Sequence, residues 1–174
     1  VSAQILTESA QEAASGTARV ERILALDPGK TTGYVEAYYT TDHLTIGVYE
    51  DVYTPREMYD YLKAWLAASN APTTIIYETF EYRNRARSGL DLTPVKLIGV
   101  IEIFKERHHP LVGFVKQSAA TGKAFFNDDR LKQMGAYMPG KKHGRDATRH
   151  LLQWANFGAG AQHIDLSRCE IFLT

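Results

Sequence analysis

The chain is poor in several features that would announce a function. It has one cysteine, Cys169, so no disulfide framework is possible within it. Residues 1 to 19 contain no basic stretch followed by an apolar one, which argues against a secretory leader, and a reducing cytoplasm is the expected setting. No apolar run approaches the roughly 20 residues that a membrane span requires, so no membrane partner is expected. No internal repeat is present. The charges cancel, 20 Lys and Arg against 20 Asp and Glu, so the molecule as a whole has no net attraction for nucleic acid.

What is present is the composition of a soluble globular protein, 44% hydrophobic and 23% charged. At 174 residues there is room for one domain with a sizeable core. Residues 1 to 19, rich in Ala, Ser, Thr, Gln and Glu, read as a tail, and residues 20 to 174 as the single domain. The zero net charge conceals an uneven distribution. From Arg83 to Arg149 there are fourteen Lys and Arg against six Asp and Glu, a net of +8, and the rest of the chain carries the opposite −8. If that separation survives folding, the molecule has a basic working half.

Hydrophobic periodicity predicts strands over Arg22 to Leu26, Thr32 to Tyr39 and Leu44 to Tyr53, the last two joined by the turn-like Thr40-Thr41-Asp42-His43. An antiparallel meander follows from this. Thr54 as N-cap and Pro55 in the first turn open a helix to about Asn70, with Met58, Tyr61, Leu62, Trp65 and Leu66 at helical spacing. A β-branched strand, Thr73 to Tyr77, precedes a helix from Thr93-Pro94 to about Arg107 and a last strand, Leu111 to Lys116. Asn127 to Met138 and Gly144 to Phe157 read as helices. Five strands, first in a meander and then alternating with helices, imply an α/β domain with a mixed sheet.

The chemistry begins at Asp27, which ends the apolar run Ile23-Leu24-Ala25-Leu26 and is followed by Pro28-Gly29-Lys30-Thr31-Thr32-Gly33-Tyr34. An acid at the end of a strand is carried to the rim of a sheet, where a metal or phosphate can reach it. Gly29-Lys30-Thr31 suggests a phosphate-cradling P-loop, but that motif needs glycine where Leu24 stands. The segment also resembles the Asp-x-Gly-x-Thr phosphate loop of actin-like ATPases and sugar kinases, whose fold needs two related domains. A first active-site acid of a nuclease, or a plain Asp-Pro-Gly turn, remain. Ile75-Ile76-Tyr77-Glu78 repeats the arrangement, an acid closing a second strand. A third acid, Asp146, lies in His143-Gly144-Arg145-Asp146-Ala147, on or just before a helix striped by Ala147, Leu151, Trp154 and Ala155; a helix N-terminus favours an acid there in any case. Three carboxylates brought together repel one another, and oxygen ligands suit Mg²⁺ or Mn²⁺.

Leu26-Asp27-Pro28-Gly29, Thr32-Gly33-Tyr34, Tyr77-Glu78, the stretch from Val115-Lys116-Gln117 to Thr121-Gly122-Lys123, and His143-x-x-Asp146-Ala147 occur in an order that resembles the RuvC-type Holliday junction resolvases, particularly the compact phage forms. The resemblance runs from about Ile23 to Phe157. It implies a ribonuclease H-like fold, a mixed five-stranded sheet flanked by helices, and a metal-dependent DNA endonuclease that resolves branched DNA by paired nicks in a bacterial or phage-infected cytoplasm. A less structure-specific nuclease, including one acting on RNA–DNA hybrids, and a non-catalytic DNA-binding module are alternatives within the same fold.

By the same resemblance Asp27, Glu78 and Asp146 are the metal-binding acids and His143 takes the fourth position, serving as ligand or proton shuttle for a two-metal Mg²⁺ or Mn²⁺ site. Lys116 and Lys123 match the family's basic stretch. Lys141, Lys142, Arg145 and Arg149 stand near the third acid as phosphate contacts, and Arg83, Arg85 and Arg87 as clamps on the junction arms. Phe80 or Tyr82 is the expected wedge at the branch point, Phe80 preferred. Two departures stand beside these positions: the Gly29 to Thr32-Gly33 gap is one residue shorter than in the bacterial resolvases, and more arginine follows Glu78. The Thr93–Arg107 helix carries Leu97, Ile98, Ile101 and Phe104 on one face and Val95, Val100 and Ile103 elsewhere, which suggests a homodimer matching the twofold junction.

Overall fold

The computed structural model of the protein describes residues 21–40, 43–80, 91–158 and 170–173. The expected tail over 1 to 19 therefore lies outside the described residues. β1 (Glu21–Asp27), β2 (Thr32–Tyr39) and β3 (His43–Asp51) form the meander. Helix α1 (Pro55–Ala67) follows, opened as expected by Thr54: its hydroxyl accepts from Glu57 N while Glu57 accepts from Thr54 N, a reciprocal capping box. Then come β4 (Thr73–Thr79), α2 (Thr93–His108), β5 (Gly113–Ser118), the short helices α3 (Ala119–Phe125) and α4 (Asp128–Gln133), α5 (Lys142–Phe157) and β6 (Glu170–Leu173).

The sheet order is β5-β4-β1-β2-β3-β6. β1 is antiparallel to β2 and parallel to β4, and β4 is parallel to β5, so the five expected strands form the mixed sheet. A sixth, β6, lies parallel to β3 over His43–Ile46 only. It was not expected, because four residues without alternation give no strand signal. Other boundaries moved for local reasons. The last expected strand starts two residues later, at Gly113, and runs to Ser118. The helix expected over Asn127 to Met138 stops at Gln133, two residues before Gly135, whose φ of 70° only glycine adopts cheaply. Ala119–Phe125, whose Gly and Thr weaken the helical pattern, is helical nonetheless, with Gly122 packed against Arg149 of α5.

Alternation along β1 divides the core. Leu24 and Leu26 face α1 and α2, where Met58, Leu62, Trp65, Leu97, Ile101 and Phe104 are buried with Ile75 and Tyr77. Ile23 and Ala25 face α5, with Val35, Ala37, Ile46, Val48 and Ile76, against Ala147, Leu151 and Leu152. Each fully buried Leu contributes roughly 1.5 to 3 kcal/mol, so α5 is held to the sheet mainly by its apolar stripe. The approach is close because of two glycines. A Cβ on Gly33 of β2 would overlap the His143 carbonyl and Gly144 N, and one on Gly144 would come within 2.6 Å of Val48 Cγ1.

Gly33→Ala is therefore expected to lift the first turn of α5 from β2 and to lower stability by about 1 to 3 kcal/mol, the range for overpacking a close contact. Urea denaturation of variant and parent checks it.

Candidate active site

Parallel pairing of β1 with β4 ends at Leu26 and Tyr77, so Asp27 and Glu78 follow side by side at the ends of neighbouring strands. Asp27 is in turn paired with Gly33, Gly33 with Glu50, and Glu78 with Gln117. Gln117, Glu78, Asp27, Gly33 and Glu50 thus make one row across five strands. Side chains alternate along a strand, and these residues share parity with Val115, Ile76, Ala25, Val35 and Val48, so the row lies on the α5 face.

Helix α5 crosses that row. Its residues rise about 1.5 Å each, so positions 143 and 150 are about 10.5 Å apart, roughly two strand spacings. At the first turn, His143 Nδ1 lies 3.0 Å from Asp27 Oδ2. Two turns on, buried His150 places Nε2 2.8 Å from Glu78 Oε2. Positions 143, 146 and 150 fall on one helical stripe. The helix has no cap of its own: Lys141 at the N-cap makes no side-chain cap bond, and Glu50 of β3 accepts from Gly144 N at 2.9 Å instead. This settles the double meaning of Asp146. It is not a cap; it sits beyond the first turn and is buried.

Asp146 is held by cations on both oxygens. Lys123 Nζ is 2.9 Å from Oδ2, and Arg149 Nη1 bonds Oδ1. Arg149 also donates through Nε to the Phe126 carbonyl at 2.8 Å and through Nη2 to Asp128. It is only 8% exposed, so Arg149 ties α3, α4 and α5 together around Asp146, which corrects the expectation of a free phosphate contact. Arg145 is mostly covered, bonding the Met138 carbonyl at 3.0 Å and stacking on Tyr137. Lys141 donates to the Val48 carbonyl at 2.5 Å, along the part of β3 that β6 does not pair. Lys142 is exposed, and with Lys123, Asn127, Arg145 and Arg149 it lines a hollow of about 340 Å³ against Asp146.

Lys116 stands apart from the acids. It is one residue from Gln117 and so points to the opposite face of the sheet, where its Nζ lies 2.5 Å from Glu102 Oε1 of α2 and Tyr77 donates to the same carboxylate. Phe80 is 38% exposed and stands at the wall of a cleft of about 710 Å³ bounded by Pro28, Glu78, Thr79, Pro94, Ile98, Ala119, Ala120 and Lys123. Tyr82, Arg83, Arg85 and Arg87 lie outside the described residues. The residues missed in the sequence are His150, Gln117 and Glu50. His150 alone had a signal, four residues after Asp146 and seven after His143; Gln117 and Glu50 belong to the site only through strand register.

Asp27 senses the other two acids. Burial pushes the Asp27 carboxyl above the ordinary carboxylate range, the charges of Glu78 and Asp146 push it further, and the His143 hydrogen bond pulls it back. Among the described residues no three His, Asp or Glu side chains are arranged to ligate one ion: each acid is occupied by a donor of the protein. The donor types, three carboxylates with one imidazole, are nevertheless those that suit a hard divalent cation.

Because the folded state holds the Asp27 proton more tightly than the unfolded chain does, ionising this group removes stability as pH rises through its raised value. Asp27→Asn, which keeps a hydrogen-bonding partner for His143, is expected to melt higher than the parent in EDTA at about pH 8, with the difference shrinking towards about pH 4. Thermal melts across that range check the sign.

The sequence matches no protein-family model and no curated protein. Among solved structures the fold is similar to Thermus thermophilus RuvC in complex with a Holliday junction substrate, at a TM-score of 0.58 and 13% identity, over 79% of this chain and 92% of that one. T. thermophilus RuvC in a second structure gives 0.51 at 12% identity, over 79% and 96% of the two chains. The yeast mitochondrial Holliday junction resolvase Ydc2 gives 0.50 at 15% identity, over 83% and 81%. With two strand-end acids beneath a crossing helix and a mixed sheet matching these structures along most of its length, the chain has the ribonuclease H-like fold of the RuvC-type resolvases.

Proposed function

We propose that the protein is a structure-specific, metal-dependent DNA endonuclease that cuts four-way junctions, or related branched DNA, by paired nicks. The observation that carries this reading is the convergence of Asp27, Glu78 and Asp146 beneath α5, with His143 on Asp27, in a fold shared with a RuvC described in complex with a Holliday junction substrate.

Asp27, Glu78 and Asp146, with His143, would hold Mg²⁺ or Mn²⁺, which when bound activates the attacking water and neutralises the leaving oxygen. The protein's own groups do the rest. The His143 side chain is 40% exposed and its Nδ1 is engaged by Asp27, so its one remaining ring nitrogen would serve either as a ligand or, in place of that, as the acceptor of a proton. Lys123, half exposed beside both the cleft and the hollow, exchanges Asp146 for the scissile phosphate. Lys142 holds a neighbouring phosphate and fixes register without reading sequence. Phe80, exposed next to Glu78, stacks at the branch point. Paired nicks need two sites. Leu92 at the N-cap of α2 and Val95 and Ile103 within it, all exposed, support a homodimer through that helix.

Cleavage of a synthetic four-way junction in Mg²⁺ or Mn²⁺ is the direct test, run beside flap, linear and hybrid substrates. Asp27→Asn is expected to reduce it by more than about 100-fold, beyond the loss typical of an outer-shell change, while junction affinity stays within a few-fold. Undiminished cleavage sinks the reading, and junction binding with no turnover in the parent favours an inert DNA-binding module. Lys142→Ala is expected to weaken junction binding whatever the sequence and to reduce the salt slope by about one; titrations at several salt concentrations measure it.

A further inference from the structure

His150 of α5 has no part in the mechanism so far, yet it contacts the acid row and is only 2% exposed. Its Nε2 lies 2.8 Å from Glu78 Oε2 and its Nδ1 2.9 Å from Gln117 Oε1. The orientation of Gln117 is set independently, because its Nε2 donates to the His150 main-chain carbonyl at 3.2 Å. The amide oxygen then faces Nδ1 of the imidazole, and Nε2 is the ring nitrogen that addresses Glu78. Three elements, β5, α5 and β4, are linked in this way by three hydrogen bonds.

The arrangement is more than the core requires. His150 sits among Ala147, Leu151 and Leu152 on α5, where an apolar residue would carry no desolvation cost. Glu78, by contrast, needs support. It is one residue from the end of β4, its side chain is 19% exposed, and exposed Phe80 follows at the cleft. Packing alone does not hold a carboxylate there in one rotamer. We propose that His150 is a positioning residue: fixed by Gln117, it holds Glu78 Oε2 so that the carboxylate is set in place for the divalent cation shared with Asp27 and Asp146. The proposal rests on the nuclease reading and assigns that site two supporting residues, His150 and Gln117.

The test is calorimetric titration of the full chain with Mn²⁺, paired with steady-state cleavage of a four-way junction. His150→Leu, which fills the space and lacks the donor, is expected to weaken Mn²⁺ binding about 10- to 100-fold and to lower kcat while leaving KM for the junction unchanged. His150→Gln, whose side-chain nitrogen reaches the place of Nε2, is expected to recover most of that affinity. If His150→Leu does not fold, Gln117→Leu on β5 carries the test, with a loss towards the lower end of that range, about 10-fold. Parental Mn²⁺ affinity in a folded His150→Leu or Gln117→Leu, or a His150→Gln no better than the Leu variant, overturns the proposal. A parent that binds no Mn²⁺ and cuts no junction overturns the nuclease reading and this proposal with it, so titration of the parent separates the two failures.

Discussion

Everything at the working end of this molecule follows from packing three carboxylates under one helix. Glu78 and Asp146 are close enough to Asp27 for their charges to act on it, and two of the three acids are buried. Ionised groups in such a place are tolerated only with partners. Each acid accordingly has one: His143 for Asp27, His150 for Glu78, and Lys123 with Arg149 for Asp146. The groups that meet this negative charge differ in exposure. Lys123 is half exposed, whereas Arg149 is buried and locked by Phe126 and Asp128.

The placing of α5 is the second requirement, and it depends on backbone proximity more than on side-chain size. Gly33 and Gly144 let the helix start directly over β2 and β3, Glu50 supplies the missing cap, and Lys141 covers the adjoining stretch of β3. These contacts fix the near end of the helix, and the His150–Gln117 link fixes its position two turns further on. Between them Asp146 is held over the strand ends. The row Gln117, Glu78, Asp27, Gly33 and Glu50 is thus one structural unit, with acids in the middle and supports at its ends.

The basic residues divide in the same way. In sequence they run from Arg83 to Arg149 as one cluster, but the sheet passes between them. Lys116 belongs to the α2 side and pairs with Glu102, while Lys123, Lys142 and Arg145 gather by Asp146. A charge run along a chain that crosses a sheet is split by the alternation of that sheet.

The sequence by itself determined that Asp27 and Glu78 end strands, that an α/β domain with a mixed sheet follows, and that Asp146 lies at the start of the last long helix. These are local consequences of apolar runs, turn residues and helical period, and they hold at 12 to 15% identity to structures of the same fold because they ask only for residue type at a position. Even His150 was within reach, since the spacing from His143 and Asp146 places it on their stripe. Only the tertiary structure decided which faces meet. That Asp27 and Glu78 are neighbours rests on the β1–β4 pairing, that Gln117 and Glu50 join them rests on register, and that Lys116 turns away and Arg149 turns inward rests on which side of the sheet each residue falls. A shift of one residue in pairing sends a side chain to the other face, and no local pattern encodes the pairing of strands fifty residues apart.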